Sequence, residues 1–568
     1  MGAGEQEKVP EPEVRATLTT SHGKSHFWWW TGLSLILFFG LARAWIGRYS
    51  INPDAISYLD LSDAFLRRDW HNFVNAYWSP LYPILLGIGR LVLPTSKHWE
   101  LPSVHIVNFA IFVGALGCFE FFYSALRDLL VSTDLQDDTI PVVGEWPFFI
   151  LAHVLFLWIS LDLISVWDVS PDLLVSGFVY SIAGMILRFH QNPSWKLAAA
   201  LGALLGAAYW AKAVLFPLGF AFMACALMTT SSIRTAVKRG LVMATVFSAV
   251  AGPWVAALSL QKHRFTFGDT GRLAYAILVS PGGATRNWQG DPASGKPAHP
   301  TRQVYADPPV YEFAEPIAGT FPPWFDSTYW QEGRVAQFNL KAQVAVTSRQ
   351  LLFYAEMLLH QENALLATAL TFFLITGRKR TGQTIARNWP ILLMAAAAFA
   401  IYMLVHAEPR YLGAYIGLLW LALLSPLRIP RHLVRVSGYL MCVAASVLLL
   451  SVVDNTARAV RDGGPYSAMQ EIILSDHLDA MGLRPGDHIG VVGGVGLYAA
   501  RFSRAKIVVE VIDASAFWQL TPEKRGIVLQ RFSQAGARMV IAPDPSPCPA
   551  PDSSWIKIRG EPYYARRL

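Results

Sequence analysis

The chain has 568 residues, of which 53% are hydrophobic and 13% aromatic while only 15% are charged, and its mean hydropathy is positive. This composition excludes an ordinary soluble globular protein and defines a polytopic membrane protein. The net charge of +7 would raise nucleic acid in a soluble chain, but here the basic residues fall in short runs between apolar segments, where they set topology, so no nucleic-acid partner is expected.

Residues 1–26 are polar and of mixed charge and read as a disordered cytoplasmic tail. The segment "FWWWTGLSLILFFGLARAWIG" (27–47) is too long for a signal-peptide core and no small-residue cleavage pattern follows it, so it reads as a retained span. A membrane-crossing helix needs roughly 20 mostly apolar residues. Candidates are 27–47, 101–125, 147–167, 171–189, 195–211, 213–230, 239–259, 351–376, 389–406, 411–427 and 437–453, about eleven in all. The stretch "SPLYPILLGIGRLVLP" (79–94) is short, has proline near both ends and carries Arg90, and it reads as an interfacial helix. With 79–94 not spanning and the amino terminus in the cytoplasm, the basic loops "SSIRTAVKRG", "GRKRTGQTIAR" and "RIPRHLVR" all fall on the cytoplasmic side. The loop 126–146 is acidic yet falls on the same side, which the rule tolerates because acids weigh little in it.

The expected fold is therefore mainly α: a polytopic helical bundle in the plasma (bacterial inner) membrane, residues 27–453. Outside lie a first loop at 48–100, a long loop at 260–350, and everything after 454. Chemistry is expected on that outer side. Nucleotide sugars are cytoplasmic, so a transferase acting there needs a donor carried through the membrane.

The first outer loop holds "INPDAISYLDLSDAFLRRDW" (51–70), with four aspartates. Asn52-Pro53 is a helix start, Asn as cap and Pro at the first helical position. Asp60 and Asp63 read as a solvated helix face, with Asp63 four residues before Arg67, and Asp69 lies past the helix. Asp54 points away from Asp63, alongside Ser57 and Tyr58, and either favours the helix dipole or serves chemistry. In "SVWDVSPDLLVSG", Asp172 follows Ser170-Pro171 as a first-turn acid or a functional one, with Asp168 the weaker candidate. Lys212 in "AAYWAKAVLFPLG" and Arg410 in "HAEPRYLGAY" stand at outer junctions. Lys212 either snorkels to the interface or meets an anion, and Arg410 either pairs with Glu408 or binds phosphate. Together, two carboxylates and two cations suit displacement at an anomeric carbon with a lipid-linked phosphate as leaving group. A carboxylate would be general base on the acceptor hydroxyl, and the cations would neutralise the phosphate.

These features resemble the GT-C superfamily of integral-membrane glycosyltransferases, in particular the branch of protein O-mannosyltransferases and the lipid A aminoarabinose transferase. The resemblance rests on "NPDAISYLDLSDAF", "WSPLYPILLGIGRLV", "SPDLLVSGFVY", "YWAKAVLFP" and "EPRYLG", within residues 27–427. It implies a sugar moved from a polyprenyl phosphate to an acceptor glycan, lipid or protein. Asp54 would stand for the catalytic aspartate, Asp172 for a second outer acid, and Lys212 and Arg410 for the cations at the lipid phosphate. Ala55 follows Asp54, where the family has an Asp-Glu pair. Tyr58, His406, Glu408 and Tyr411 are possible pocket residues.

In the long loop, Trp288, Trp324, Tyr329 and Trp330 could stack on sugar rings or sit at headgroup level as an aromatic belt, the belt being favoured. After 454, "HIGVVGG", "KIVVEVI" and "ARMVIAP" read as strands of a small soluble α/β domain. Its Gly494, Gly496 and Ala499, with Glu510 further on, outline a dinucleotide fingerprint. We reject it: the spacing to the acid is short and the outer compartment lacks a nicotinamide pool. Cys118, Cys225 and Cys442 lie in apolar segments and Cys548 stands alone, so neither a disulfide framework nor a metal cluster is expected. No cofactor is required by this reading, with a divalent metal left open. A transporter or flippase is the rival reading, disfavoured by the absence of a clear internal repeat, and a non-catalytic scaffold is a third.

Overall fold

The structure is a computed structural model that describes residues 12–131, 139–141, 146–230, 232–281, 286–425, 428–430, 433–462, 467–545 and 552–568. Helix α1 (Pro12–Ile46) begins inside the stretch that the sequence assigns to a tail, and residues 1–11 and Cys548 lie outside the described residues.

α1 leads to the short helices α2 (Asp54–Leu66), α3 (Trp70–Phe73) and α4 (Leu81–Val92). The bundle continues with α5 (Glu100–Val131), a short strand β1 (Thr139–Pro141), α6 (Trp146–Trp158, prolonged by a wider turn to Ile164), α7 (Asp172–Gln191), α8 (Trp195–Ala211), α9 (Leu215–Met228) and α10 (Ile233–Gln261). The long loop follows with α11 (Thr270–Leu278), β2 (Arg302–Ala306), β3 (Pro309–Glu312), α12 (Pro322–Phe325) and α13 (Ser327–Trp330). The chain then re-enters the bundle as α14 (Leu340–Glu356), α15 (Asn363–Arg387), α16 (Trp389–Met403), α17 (Pro409–Leu424), strand β4 (Arg428–Pro430) and α18 (Val434–Asp462). Each of the eleven candidate segments lies on helix. Among the described residues six helices are long and apolar enough to cross a membrane by themselves, and up to eight spans result if each of two bent helix pairs counts as one; α9 and α17 are shorter.

Close packing in the bundle uses small residues, as expected where lipid removes most of the hydrophobic drive between helices. A Cβ on Gly202 of α8 would collide with the Met243 carbonyl of α10, so only glycine lets these two backbones meet. Buried charges are paired: Asp162, at the end of α6, binds Arg43 of α1 and accepts from Ser451 Oγ and Asn455 Nδ2 of α18, both at 2.9 Å. That ties three helices together near one end.

At that end α1 and α18 both finish. Ala468 N donates to Tyr49 O at 2.7 Å, beside a bridge between Ser50 and Ser467. At the opposite end β1 pairs with β4, so segments 139–141 and 428–430 lie together.

Beyond α18 the chain forms α19 (Met469–Ala480), β5 (His488–Val492), α20 (Leu497–Phe502), β6 (Lys506–Val511), α21 (Ala514–Gln519), α22 (Pro522–Gln534), β7 (Met539–Pro543), β8 (Ile556–Lys557) and β9 (Tyr563–Arg567). The three strands read from sequence are β5, β6 and β7. The sheet is larger than the sequence suggests: its order is β2-β3-β6-β5-β7-β9-β8, and the first two strands come from the long loop. β3 pairs antiparallel with β6, so the loop is built into the domain edge and covers it.

Two expectations fail here. Trp288 is buried inside the long loop, donating to Ser294 Oγ at 2.9 Å, and Trp330 packs with Phe313 and Phe321 against Leu474, Leu478 and Ile489 of the terminal domain, so neither ring belongs to a membrane belt. Asp60 and Asp63 are buried too, not a solvated face. Arg501 of α20 reaches Asp60 Oδ1 at 2.9 Å, Asp63 Oδ2 at 2.6 Å and Glu100 Oε1 at 2.6 Å. Arg90, the charge that set 79–94 apart, turns inward to Asp63 at 2.5 Å and Glu100 at 3.5 Å. Asp60 also accepts from the Thr320 amide at 2.7 Å and its hydroxyl at 2.9 Å. Asp69 caps α3, accepting from Asn72 Nδ2 at 2.7 Å. α2 is thus clamped from three sides, and buried acids at this site are tolerable because each is paired.

Candidate active site

Four helix ends converge where the bundle meets the terminal domain. Asp54 is the first residue of α2, Asp172 the first of α7, Lys212 follows α8, and Arg410 is the second residue of α17 after Glu408-Pro409. Prolines at 53, 171 and 409 start three of these helices, since a missing N–H costs nothing in the first turn. Asn52 does not cap α2 as its type suggests. Its Oδ1 accepts from Val169 N at 2.9 Å and so stitches the loop before Asp172 to the start of α2.

The Arg410 guanidinium is central. It lies 3.4 Å from Asp54 Oδ2, 3.7 Å from Asp172 Oδ2, 2.6 Å (through Nε) from Glu408 Oε2 and 3.3 Å from the Tyr411 hydroxyl. Lys212 Nζ donates to Asp172 Oδ1 at 2.6 Å and stands 3.7 Å from the centre of the Tyr411 ring. His406 Nε2 is 3.1 Å from Glu408 Oε1. Tyr58 is buried one turn after Asp54, edge-on to Trp78 and Tyr82. Seven of the eight residues singled out from sequence therefore meet in one contact network, and Tyr58 lies one turn along α2 from Asp54.

The two acids differ in access. The Asp172 side chain is 2% exposed and held by both cations, whereas that of Asp54 is 23% exposed and makes only the longer contact to Arg410. Burial pushes the Asp54 carboxyl above its ordinary range, against the pull of Arg410 and with a push from Asp172 and Glu408. Asp168, the candidate set aside from sequence, is moved to about 7, first by burial and then by Asp172, Asp54 and Glu408, with Arg410 opposing. Glu408 goes the other way: despite burial, its hydrogen bond from His406 and the charge of Arg410 hold it at about 2. Burial works against the Arg410 charge, but Asp172, Tyr411, Glu408 and Asp54 more than offset it. Carboxylates outnumber cations here, and each cation is in contact with at least one acid. Among the described residues no group of three or more His, Cys, Asp or Glu is arranged to hold a metal ion.

Beside the cluster opens a cavity of about 640 Å³. Pro53 and Ile56, on either side of Asp54, and Tyr77 form one wall; Gly494 to Tyr498 of the terminal domain form the other, with Trp324 and Trp330 of the long loop between them. Sequence reading missed this cavity and the Arg501 clamp alike. Arg501 and Asp60 are 441 positions apart, and nothing in either local sequence marks them as partners.

This arrangement, with a helical bundle, acid-bearing first loop and terminal domain seated over helix ends, matches in fold ArnT, a member of the GT-C superfamily of integral-membrane glycosyltransferases. ArnT from Cupriavidus metallidurans in the apo state aligns over nearly the whole of both chains, at 12% identity, covering 95% of this chain and 98% of that one with a TM-score of 0.54. The same ArnT bound to undecaprenyl phosphate aligns at 13% identity over 95% and 97% of the two chains, TM-score 0.48. The Archaeoglobus fulgidus oligosaccharyltransferase complexed with Zn and sulfate aligns at 12% identity over 90% and 68%, TM-score 0.49. No family model and no curated protein matches the sequence.

Proposed function

We propose that the chain is a glycosyltransferase that moves a hexose or pentose from a polyprenyl phosphate to an acceptor on the extracytoplasmic face of the membrane. The observation that carries this is the convergence of a partly exposed, proton-hungry Asp54 with Arg410 and Lys212 at one end of an apolar bundle. The likeness to ArnT, whose relative structure holds undecaprenyl phosphate, supports a lipid carrier.

The chemistry follows from charge. A sugar phosphodiester carries one negative charge, and the lipid phosphate it leaves behind carries up to two. Arg410 and Lys212 therefore gain interaction energy as the bond to the anomeric carbon breaks, which is where stabilisation accelerates a reaction. Asp54 takes the proton from the acceptor hydroxyl as that oxygen attacks the anomeric carbon from the face opposite the phosphate. The C–O bond to phosphate breaks, its electron pair leaves with the phosphate, and the anomeric centre inverts. No acid catalyst and no obligatory metal are needed, because side-chain cations meet the developing charge. Asp172 acts as a positioning residue: it holds Lys212 and faces Arg410 from a buried position. Glu408 and His406 orient Arg410 from the other side.

For topology we keep eleven crossings, with the amino terminus cytoplasmic. An odd number is supported by α1 and α18 finishing at the same end, and the cytoplasmic assignment of the opposite end by its basic loops. The test is purified protein in proteoliposomes with radiolabelled polyprenyl-phosphate sugars, wild type against Asp54→Asn. Transfer that survives the substitution overturns the role of Asp54, and absence of transfer from every donor overturns the function.

A further inference from the structure

The glycine turn after β5 has no part in the transfer chemistry, yet its surroundings assign it one. β6, β5 and β7 run parallel in that order, so the connection from β5 leads to one side and the connection from β6 crosses back to the other side of β5. Open α/β sheets bind ligands outside the carboxyl ends of their strands at such a point. Here Gly494, Val495 and Gly496 occupy that place and line the cavity beside Asp54.

A dinucleotide does not fit. Glu510, the acid at the end of β6, is fully buried, accepts from Asn287 Nδ2 at 2.6 Å and pairs with Arg286 at 2.7 Å. A Cβ placed on Gly494 would lie 3.0 Å from Arg286 Nη1, so that guanidinium fills the approach to the turn. What remains is a cleft walled by rings, with Trp324, Trp330, Tyr498 and Tyr563 around it and the polar groups of Arg286 and Gln331 at intervals. Its volume of about 640 Å³ is that of a small-ligand site. Flat aromatic faces with a few hydrogen-bonding groups match a sugar ring, which has C–H faces and a hydroxyl rim. The cleft also reaches the reacting end: Pro53 and Ile56, which flank Asp54 in the chain, line it together with Tyr77.

We propose that this cavity is the acceptor subsite and that the acceptor is a carbohydrate, held by its ring faces on Trp324 and Tyr498 with one hydroxyl presented to Asp54. The proposal rests on the transferase reading above, but binding can be measured without turnover. Saturation-transfer difference NMR on the Asp54→Asn protein in nanodiscs, with cellobiose, N,N′-diacetylchitobiose and a Ser/Thr-containing peptide at millimolar concentration, separates the outcomes. The expected result is saturation of the ring C–H protons of at least one disaccharide and not of the peptide. That signal falls about fivefold in Trp324→Ala and returns in part in Trp324→Phe. The Trp324 side chain is exposed, so its truncation leaves the core intact, and an unchanged melting temperature verifies this. Silence from both disaccharides, a peptide signal in their place, or a disaccharide signal unchanged in both Trp324→Ala and Tyr498→Ala overturns the proposal. Disaccharide binding together with failure of every donor assay leaves the subsite standing and removes the transferase reading.

Discussion

Arg501 Nη1 of the terminal domain lies 2.6 Å from Asp63 Oδ2 of the first loop, inside a buried group that also holds Asp60, Glu100 and Arg90. The helix gripped in this way is the one whose first residue is Asp54. The domain therefore acts on the site through the orientation of α2.

Arg501→Ala leaves three buried acids facing Arg90 and a partly exposed Arg504. The expected cost is about 3–5 kcal/mol, because an unpaired buried charge loses solvation without compensation. It is read as a lower melting temperature in detergent, with Arg501→Lys intermediate because a single ammonium cannot reach all three acids in the same geometry.

Arg410→Lys keeps the charge but not the planar fork that meets Asp54, Asp172 and Glu408 together. Turnover should fall by about 100–1,000-fold, with a smaller change in donor affinity, since the phosphate charge develops in the transition state. Equal losses in kcat and in lipid-phosphate binding would show that Arg410 serves ground-state binding.

Asp54 must be ionised to act as base, and its folded-state carboxyl is raised by burial against the pull of Arg410. The acid limb of kcat/KM is therefore expected above the ordinary carboxylate range, with activity lost as pH falls through it. Arg410→Met removes the opposing pull, and the residual activity should show that limb at still higher pH. A limb that stays in place would detach Asp54 from the profile.

Asp168 sits at about 7, above its ordinary value. A raised carboxyl favours the folded state while protonated, and that advantage is lost as pH rises from the unfolded value through 7. Asp168→Asn should raise the melting temperature at pH about 8 and change it less at pH about 5. Glu408 has the opposite sign: held at about 2, it stabilises above the ordinary carboxylate range, and that contribution is lost as pH falls towards 2.

Single cysteines replacing Thr381 and Ala293 in an otherwise cysteine-free chain test sidedness. An impermeant maleimide added to intact cells should label the Ala293 site and spare the Thr381 site. The reverse pattern would invert the molecule.

Read without a structure, the chain already shows the helical bundle, the three central strands of the terminal domain and the charged residues that meet around Arg410. These are legible because apolar length, strand patterning and a charge at a helix end beside Pro are local signals. What such signals do not show is which charges see water. Asp60 and Asp63 have the spacing of a surface helix face, yet they are buried because Arg501 and Thr320 arrive from distant parts of the chain. Likewise Trp288 and Trp330 carry the composition of an interface belt, but Trp288 is buried within the long loop and Trp330 lies in the packing between that loop and the terminal domain. The difference between Asp54 and Asp172 has the same origin. Both are first-turn acids after proline, and only the packing of four helix ends leaves one reachable and locks the other between two cations. Burial and pairing are sums over neighbours far apart in sequence, so they belong to the tertiary structure alone.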